Sequence, residues 1–259
     1  MGGLKGERGE RGERGEGNHS KPLRETVFMR QFAISDIHGC PKTFLALLDK
    51  IAFSKSDELF LLGDYVDRGP DSKGVLDAIF DLQKNGYTLR CLLGNHEELV
   101  LQAAQNDFAS LERWLLTDGR DTMDSFGVER CSDIPEVYLD FMRGLPYFFE
   151  SGNYILVHGG LDFRLPDPLA DASEMCWMRN WYDDIRYEWL GERTILHGHT
   201  PIEHYNIEKQ LFQLKWSRYL DIDAGCVFTQ HRFPYRVDLG RLCAFDMTNR
   251  WLAFQKNVE

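Results

Sequence analysis

Five short apolar runs in this 259-residue chain each end in a glycine-flanked Asp, Asn or His, and no other feature constrains the fold as tightly. "QFAIS" (31–35) leads into "SDIHGC", "ELFLL" (58–62) into "GDYVDRG", and "YTLRCLL" (87–93) into "GNHEE". Further on, "NYILV" runs into "HGGLD" and "RTIL" into "HGHT". Between the first three runs the apolar spacing changes to that of helices: Phe44, Leu47, Leu48 and Ile51 after Pro41, then Val75, Leu76, Ile79, Phe80 and Leu82 after Asp71 or Ser72 as N-cap. Strands that alternate with amphipathic helices must run parallel, because the crossover returns the chain to the same edge. The class is therefore α/β.

The rest of the folded part is less regular. A helix is expected from Glu97 to about Leu116, a mostly helical stretch over 105–145, and another helix near 171–185. Beyond it "HYNIE", "SRYLDID", "RLCAFDM" and "WLAFQK" are short and turn-separated, and predict a second, more antiparallel sheet at the C-terminal end. Residues 1–28 differ from everything that follows. "GLKGERGERGERGEG" imitates a collagen period, yet has no proline and few repeats, so it reads as a disordered, nearly charge-balanced tail ahead of one domain over 29–259. Deleting the tail is expected to leave activity intact.

A hydrophobic content of 43% is ample for a core in a domain of this length. The formal charge of -11 excludes a general nucleic-acid binder, which needs surplus Lys and Arg to neutralise phosphates. An acidic chain that handles phosphate needs local positive charge, and metal ions can provide it. The six cysteines are widely spaced with no C-x-x-C pair, which suits reduced core thiols. With no apolar span of about 20 residues and a charged N-terminus, the expectation is a soluble cytoplasmic protein without a membrane partner.

The chemistry lies in the five loops. At the carboxyl ends of parallel strands they converge on the edge where an open α/β sheet binds its ligand. Asp36, His38, Asp64, Asn95, His158 and His199 offer oxygen and imidazole donors without a thiolate, a set suited to divalent Mn, Fe or Zn. A carboxylate such as Asp64 can bridge two ions, and ions about 3.5 to 4 Å apart activate water and grip phosphoryl oxygens. Each residue alone has a plainer reading: an Asp before glycine as a turn, a strand-end His as a structural group, Arg68 as a partner of Asp71.

"SDIHG", "GDYVDRG", "GNHE", "HGGL" and "GHT", in this order, resemble the bacterial-type phosphoprotein phosphatase branch of the binuclear metallophosphoesterases. Eukaryotic members read "GDIHG" and "RGNHE", where this chain has Ser35 and Leu93. The resemblance implies a two-sheet β-sandwich flanked by helices, with two divalent ions at one edge. Manganese is the first expectation, with Fe, Zn or Mg as alternatives. It implies Asp36, His38 and Asp64 on one metal and Asp64, Asn95, His158 and His199 on the other. His96 becomes the general acid, Asp67 its orienting partner, and Arg68 a phosphate clamp, with Arg179 of "CWMRNW" nominated as a second clamp. His197 is assigned a structural role, and Trp177, Trp181 and Tyr182 are assigned to the core rather than to base stacking.

The implied activity is a protein serine/threonine phosphatase in which water activated by two metals attacks phosphorus directly. Its partner would be a phosphorylated protein or a small phosphoester. The alternative on the same metal site is a dinucleoside polyphosphate hydrolase; a non-catalytic metal-binding scaffold is the third reading.

Overall fold

The computed structural model describes residues 1–3, 29–105, 107–229 and 238–259, so from residue 4 onward the expected tail lies outside the described residues. The first half follows the expected alternation: β1 (Gln31–Ile34), α1 (Pro41–Lys50), β2 (Glu58–Leu61), α2 (Ser72–Lys84), β3 (Thr88–Cys91) and α3 (Asn95–Ala103). Pro41 opens α1, and the Asp71 carboxylate caps α2 by accepting from Gly74 N at 2.8 Å. Three further helices follow, α4 (Phe108–Leu115), α5 (Gly119–Phe126) and α6 (Glu136–Arg143). The single helix expected from Glu97 to Leu116 is thus two. Asp107 caps the second by accepting from Ser110 N, a cap signal inside an otherwise helical pattern.

The second half contains β4 (Phe148–Ser151), β5 (Tyr154–Val157), α7 (Tyr187–Leu190), β6 (Thr194–His197), α8 (His204–Ser217), β7 (Tyr219–Asp221), β8 (Arg241–Asp246) and β9 (Trp251–Lys256). Three expectations change here. "HYNIE" opens α8 rather than a strand; Ile207, Leu211 and Leu214 keep helical spacing and pack on the core. Over 171–185 there is no α-helix, only 3-10 turns at Glu174–Cys176 and Tyr182–Asp184. The Met175 carbonyl, which a helix would use internally, accepts instead from Gly159 N and Gly160 N. Nor do the C-terminal strands form their own sheet.

Those strands complete the two sheets already begun. One sheet has the order β3-β2-β1-β8-β9, with β1, β2 and β3 parallel and β8 antiparallel to β1. The other has the order β4-β5-β6-β7, with β5, β6 and β7 parallel. Alternation along each strand shows how they stack. Phe32 and Ile34 of β1 and Leu59 and Leu61 of β2 pack under the helices, while Ala33 and Phe60 join Leu156, Leu196, Leu220 and Phe245 between the sheets. Ile155, Val157 and Ile195 face outward beneath Trp181 and Leu190. Strands buried on both faces read as continuous apolar runs, which is why the sequence shows runs rather than alternation. The implied two-sheet α/β architecture is the one observed.

All six cysteines are free and buried. Burial pushes the Cys91 thiol up to about 12, far from a reactive thiolate. Among the described residues no helix is long and apolar enough to cross a membrane.

Candidate metal centre

The loops are zipped together by backbone hydrogen bonds. Asp36 N donates to Gly63 O at 3.2 Å, His38 N to Asp64 O at 2.9 Å, and Gly198 N to His158 O at 2.8 Å. Glu97, fully buried on α3, accepts from Asp64 N and Tyr65 N at 2.8 Å, Gly94 N at 3.0 Å and Val66 N at 3.2 Å. Burial beside Asp64 raises the Glu97 carboxyl to about 7. Replacing Glu97 with Ala orphans these four buried donors, and thermal melting of the variant is expected to show a loss of about 3–5 kcal/mol.

Six of the eleven non-glycine residues with positive φ among the described residues belong to the site: Asp36, His38, Asp64, Asp67, Arg68 and His199. Each left-handed residue costs on the order of 1 kcal/mol, so the turns are held against their own preference by the surrounding bonds. Gly198 is required for a different reason, close approach: a Cβ there would collide with Ser35 Oγ and the Asp36 carboxylate. Gly198→Ala should therefore dislodge Asp36 and lower metal content, read by metal analysis after reconstitution.

All six expected ligands are buried, and the five loops bring them together. Asp64 is the centre. Its Oδ2 lies 3.5 Å from His38 Nε2, 3.3 Å from His158 Nε2 and 4.0 Å from His96 Nε2. Two groups of donors share it: His38, Asp64 and His96, and Asp64, His158 and His199. Asp36 Oδ1 stands 3.9 Å from His38 Nε2, while its Oδ2 accepts from His199 N at 3.0 Å and from Ser35 Oγ. Asn95 Oδ1 is 3.0 Å from His158 Nε2.

The donor chemistry fits cations. Val66 O is 2.8 Å from His38 Nδ1 and Leu62 O is 2.8 Å from His158 Nδ1, so each ring donates there and turns Nε2 toward Asp64. His158 Nε2 then faces two oxygens, a geometry that requires a proton or a metal ion between them. His199 Nε2 is buried without a hydrogen-bond partner among the described residues, and burial takes this imidazole down to about 2, fixing it as a neutral donor. This is a His/Asp centre of the kind that holds two metal ions.

Burial opposes charge on both members of the His158–Asp64 pair, but their attraction wins. His158 is raised to about 9 and Asp64 held well below the usual carboxylate range. A His raised in the folded state stabilises the metal-free protein below its unfolded value of about 6.5, and that stability is lost as pH rises to about 9. Metal entry must displace the same proton. We expect chelated protein to release about one proton from His158 on metal uptake near pH 7.5 and few above pH 9, measured calorimetrically in two buffers.

His96, placed by the start of α3, has Nδ1 2.7 Å from Asp67 Oδ2, leaving Nε2 toward Asp64. Burial lowers this imidazole, yet Asp64 and Asp67 together raise it. Asp67 is itself fixed by two side chains with no motif signature: Trp114 Nε1 donates to Oδ1 at 3.0 Å and to Oδ2 at 2.8 Å, and Thr122 Oγ1 donates to Oδ1 at 2.6 Å. Trp114 shows as an apolar helix position and Thr122 as a polar one; only the fold reveals that both point at Asp67. Arg68 Nη1 lies 2.7 Å from His38 Nε2, inside the site, while the Asp71 carboxylate is spent on capping α2. Arg179 is exposed, and its Nη1 donates to His199 O at 3.0 Å and Thr200 Oγ1 at 2.7 Å, which puts it at the rim. His197, buried and lowered to about 4, meets Tyr182 OH at 3.4 Å and belongs to neither Asp64 group.

Two sheets with helices outside and a His/Asp centre at their shared edge define a metallophosphoesterase. The sequence profile described as calcineurin-like phosphoesterase matches residues 29–228, and the chain belongs to that family. Among curated relatives, a symmetrical bis(5'-nucleosyl)-tetraphosphatase of Nitrosomonas europaea is 34% identical over 134 residues, 51% of this chain and 45% of the relative. The asymmetrical bis(5'-nucleosyl)-tetraphosphatase PrpE of Bacillus velezensis is 25% identical over 231 residues, 78% of this chain and 88% of the relative. The chain spans about half the length of the symmetrical relatives it matches. A crystal structure of a candidate diadenosine tetraphosphatase superposes with a TM-score of 0.62 at 22% identity, covering 90% of this chain and 96% of the other. Both curated relatives carry the dinucleoside name of the alternative reading rather than that of a protein phosphatase.

Proposed function

We propose that the chain is a metal-dependent dinucleoside polyphosphate hydrolase acting on substrates of the diadenosine tetraphosphate type. The observation that carries the reading is its similarity to curated bis(5'-nucleosyl)-tetraphosphatases, one of them matched over 78% of this chain and 88% of its own length. Asp36, His38 and Asp64 hold one divalent ion, and Asp64, Asn95, His158 and His199 the other, with manganese the first candidate. Bound ions supply Lewis-acid activation of water and charge stabilisation at phosphorus.

The chain's own groups do the rest. His96 gives its Nδ1–H to Asp67, which Trp114 and Thr122 fix, and Asp64 and Asp67 together favour the imidazolium, whose second proton at Nε2 serves the leaving oxygen. Arg68 and Arg179 offer planar forks to non-bridging phosphate oxygens. Residues 1–28 are dispensable, so protein beginning at Met29 keeps full turnover.

The test is a substrate panel on chelated enzyme with Mn, Fe, Zn or Mg restored. Diadenosine tetraphosphate should be cleaved far better than a phosphoserine peptide, with chromatography separating two ADP from ATP plus AMP. Preference for the peptide would restore the protein phosphatase reading.

A further inference from the structure

Helix α8 has two apolar faces. Ile207, Leu211 and Leu214 pack on the core, while Tyr205, Phe212 and Trp216 lie on the solvent side, 51%, 82% and 67% exposed. At about 3.6 residues per turn these three rings share an arc of about 40°. Exposed Glu208 and Lys215 flank the stripe on one side, Lys209 and Gln213 on the other. At its C-terminal end an open hollow of about 280 Å³ is lined by Tyr187, Lys215, Trp216 and Arg218, with Tyr187 43% exposed. The hollow is held in shape: Tyr187 OH donates to Ser217 O at 3.4 Å, and the Arg218 guanidinium lies 5.9 Å from the Tyr187 ring centroid. One end of the stripe thus presents a ring, the other a hollow with aromatic walls.

We propose that this face binds a second copy of the chain, α8 against α8, antiparallel about a two-fold axis. Turning the helix end for end about its middle brings each exposed group to one that suits it. Tyr205 meets the hollow beside the partner's Trp216, and the two Phe212 rings meet near the axis. On one flank Glu208 faces the partner's Lys215, twice by symmetry; on the other Lys209 faces the partner's Gln213. A two-fold contact uses the same patch on both copies, so it needs this self-complementarity. Charge selects the occupant: a chain of net charge -11 is repelled by an anionic lipid surface, whereas a flank that holds both signs is matched by its own copy. Area agrees. Rings of about 150–250 Å² each, exposed to this degree, offer roughly 500 Å² per copy, and the four flanking side chains extend the patch toward the roughly 800 Å² per partner of a standard interface.

Sedimentation velocity of the full metal-loaded chain over a concentration series should show a reversible dimer. Phe212→Ser combined with Trp216→Ser should raise its dissociation constant at least about a hundredfold, because each buried ring counts twice across the axis. Lys215→Glu should weaken it about tenfold by setting acid against acid, and adding Glu208→Lys should restore it to within about threefold. All four positions are exposed, so the far-ultraviolet circular dichroism of every variant should match wild type, which separates a lost contact from a lost fold. A chain that stays monomeric at every concentration overturns the proposal, whether or not it binds phosphatidylserine vesicles. So does a dimer that survives the Phe212 and Trp216 changes, one that the paired charge reversal fails to restore, or one abolished by Leu116→Ser on the exposed side of α4.

Discussion

Asp64→Asn is expected to remove both metal ions at once and lower kcat/KM by on the order of three decades or more. Asp64 alone belongs to both groups of donors, with its carboxylate within 3.5 Å of His38 Nε2 and within 3.3 Å of His158 Nε2. The neutral amide keeps the shape and loses the charge, so the loss cannot be ascribed to a cavity. Asp36→Asn is the control: Asp36 lies 3.9 Å from His38 Nε2 and belongs to neither Asp64 group, and this variant should retain about one ion per chain. A third readout follows from electrostatics. Asp64 is the largest attraction holding the His158 imidazolium against burial, so the variant should also lose the proton release on metal addition. Retention of two ions by Asp64→Asn would sink its role as the shared ligand.

How much of this was legible before folding depended on where the information sits. Strands β1, β2, β5 and β6 are short and largely buried, so they appear as apolar runs, while β3 is buried only at Cys91 and its run continues into Leu92 and Leu93; the candidate ligands follow within a few residues of each. That local grammar is why six candidate ligands from five loops could be named together. The supports of those ligands are not local. Glu97 is 33 residues from the Asp64 amide it accepts from, and Trp114 is 47 residues from Asp67. A Glu in a helix and a Trp on an apolar stripe look like solvated face and core, and only tertiary contact converts them into site residues. The missing helix over 171–185 has the same origin: Met175 O serves Gly159 and Gly160, so a long-range partner overrides helical spacing. What would separate a phosphatase from a dinucleoside hydrolase was the least legible, because the five motifs offer donors for metal ions and none of them describes what surrounds the rest of a substrate.

The second large effect separates the substrates as well as testing the acid. His96→Asn should keep both ions, since Asp64, His38, His158 and His199 are untouched, and should lower turnover of a phosphoserine peptide by about 10²–10⁴. An alkoxide leaves with a pKa near that of water, about 15.7, and needs its proton in the transition state. A nucleotide phosphate leaves with a second pKa of about 6 and hardly needs one. On diadenosine tetraphosphate the same variant should therefore lose far less, within about tenfold, if the Asp67-bound imidazole serves the leaving oxygen. Trp114→Phe, which removes one donor to Asp67 while keeping the ring in the core, should reproduce a weaker form of the same substrate-dependent loss. Equal losses on both substrates, accompanied by loss of an ion, would instead make His96 the third ligand of the His38–Asp64 group, a position its Nε2 at 4.0 Å from Asp64 also allows.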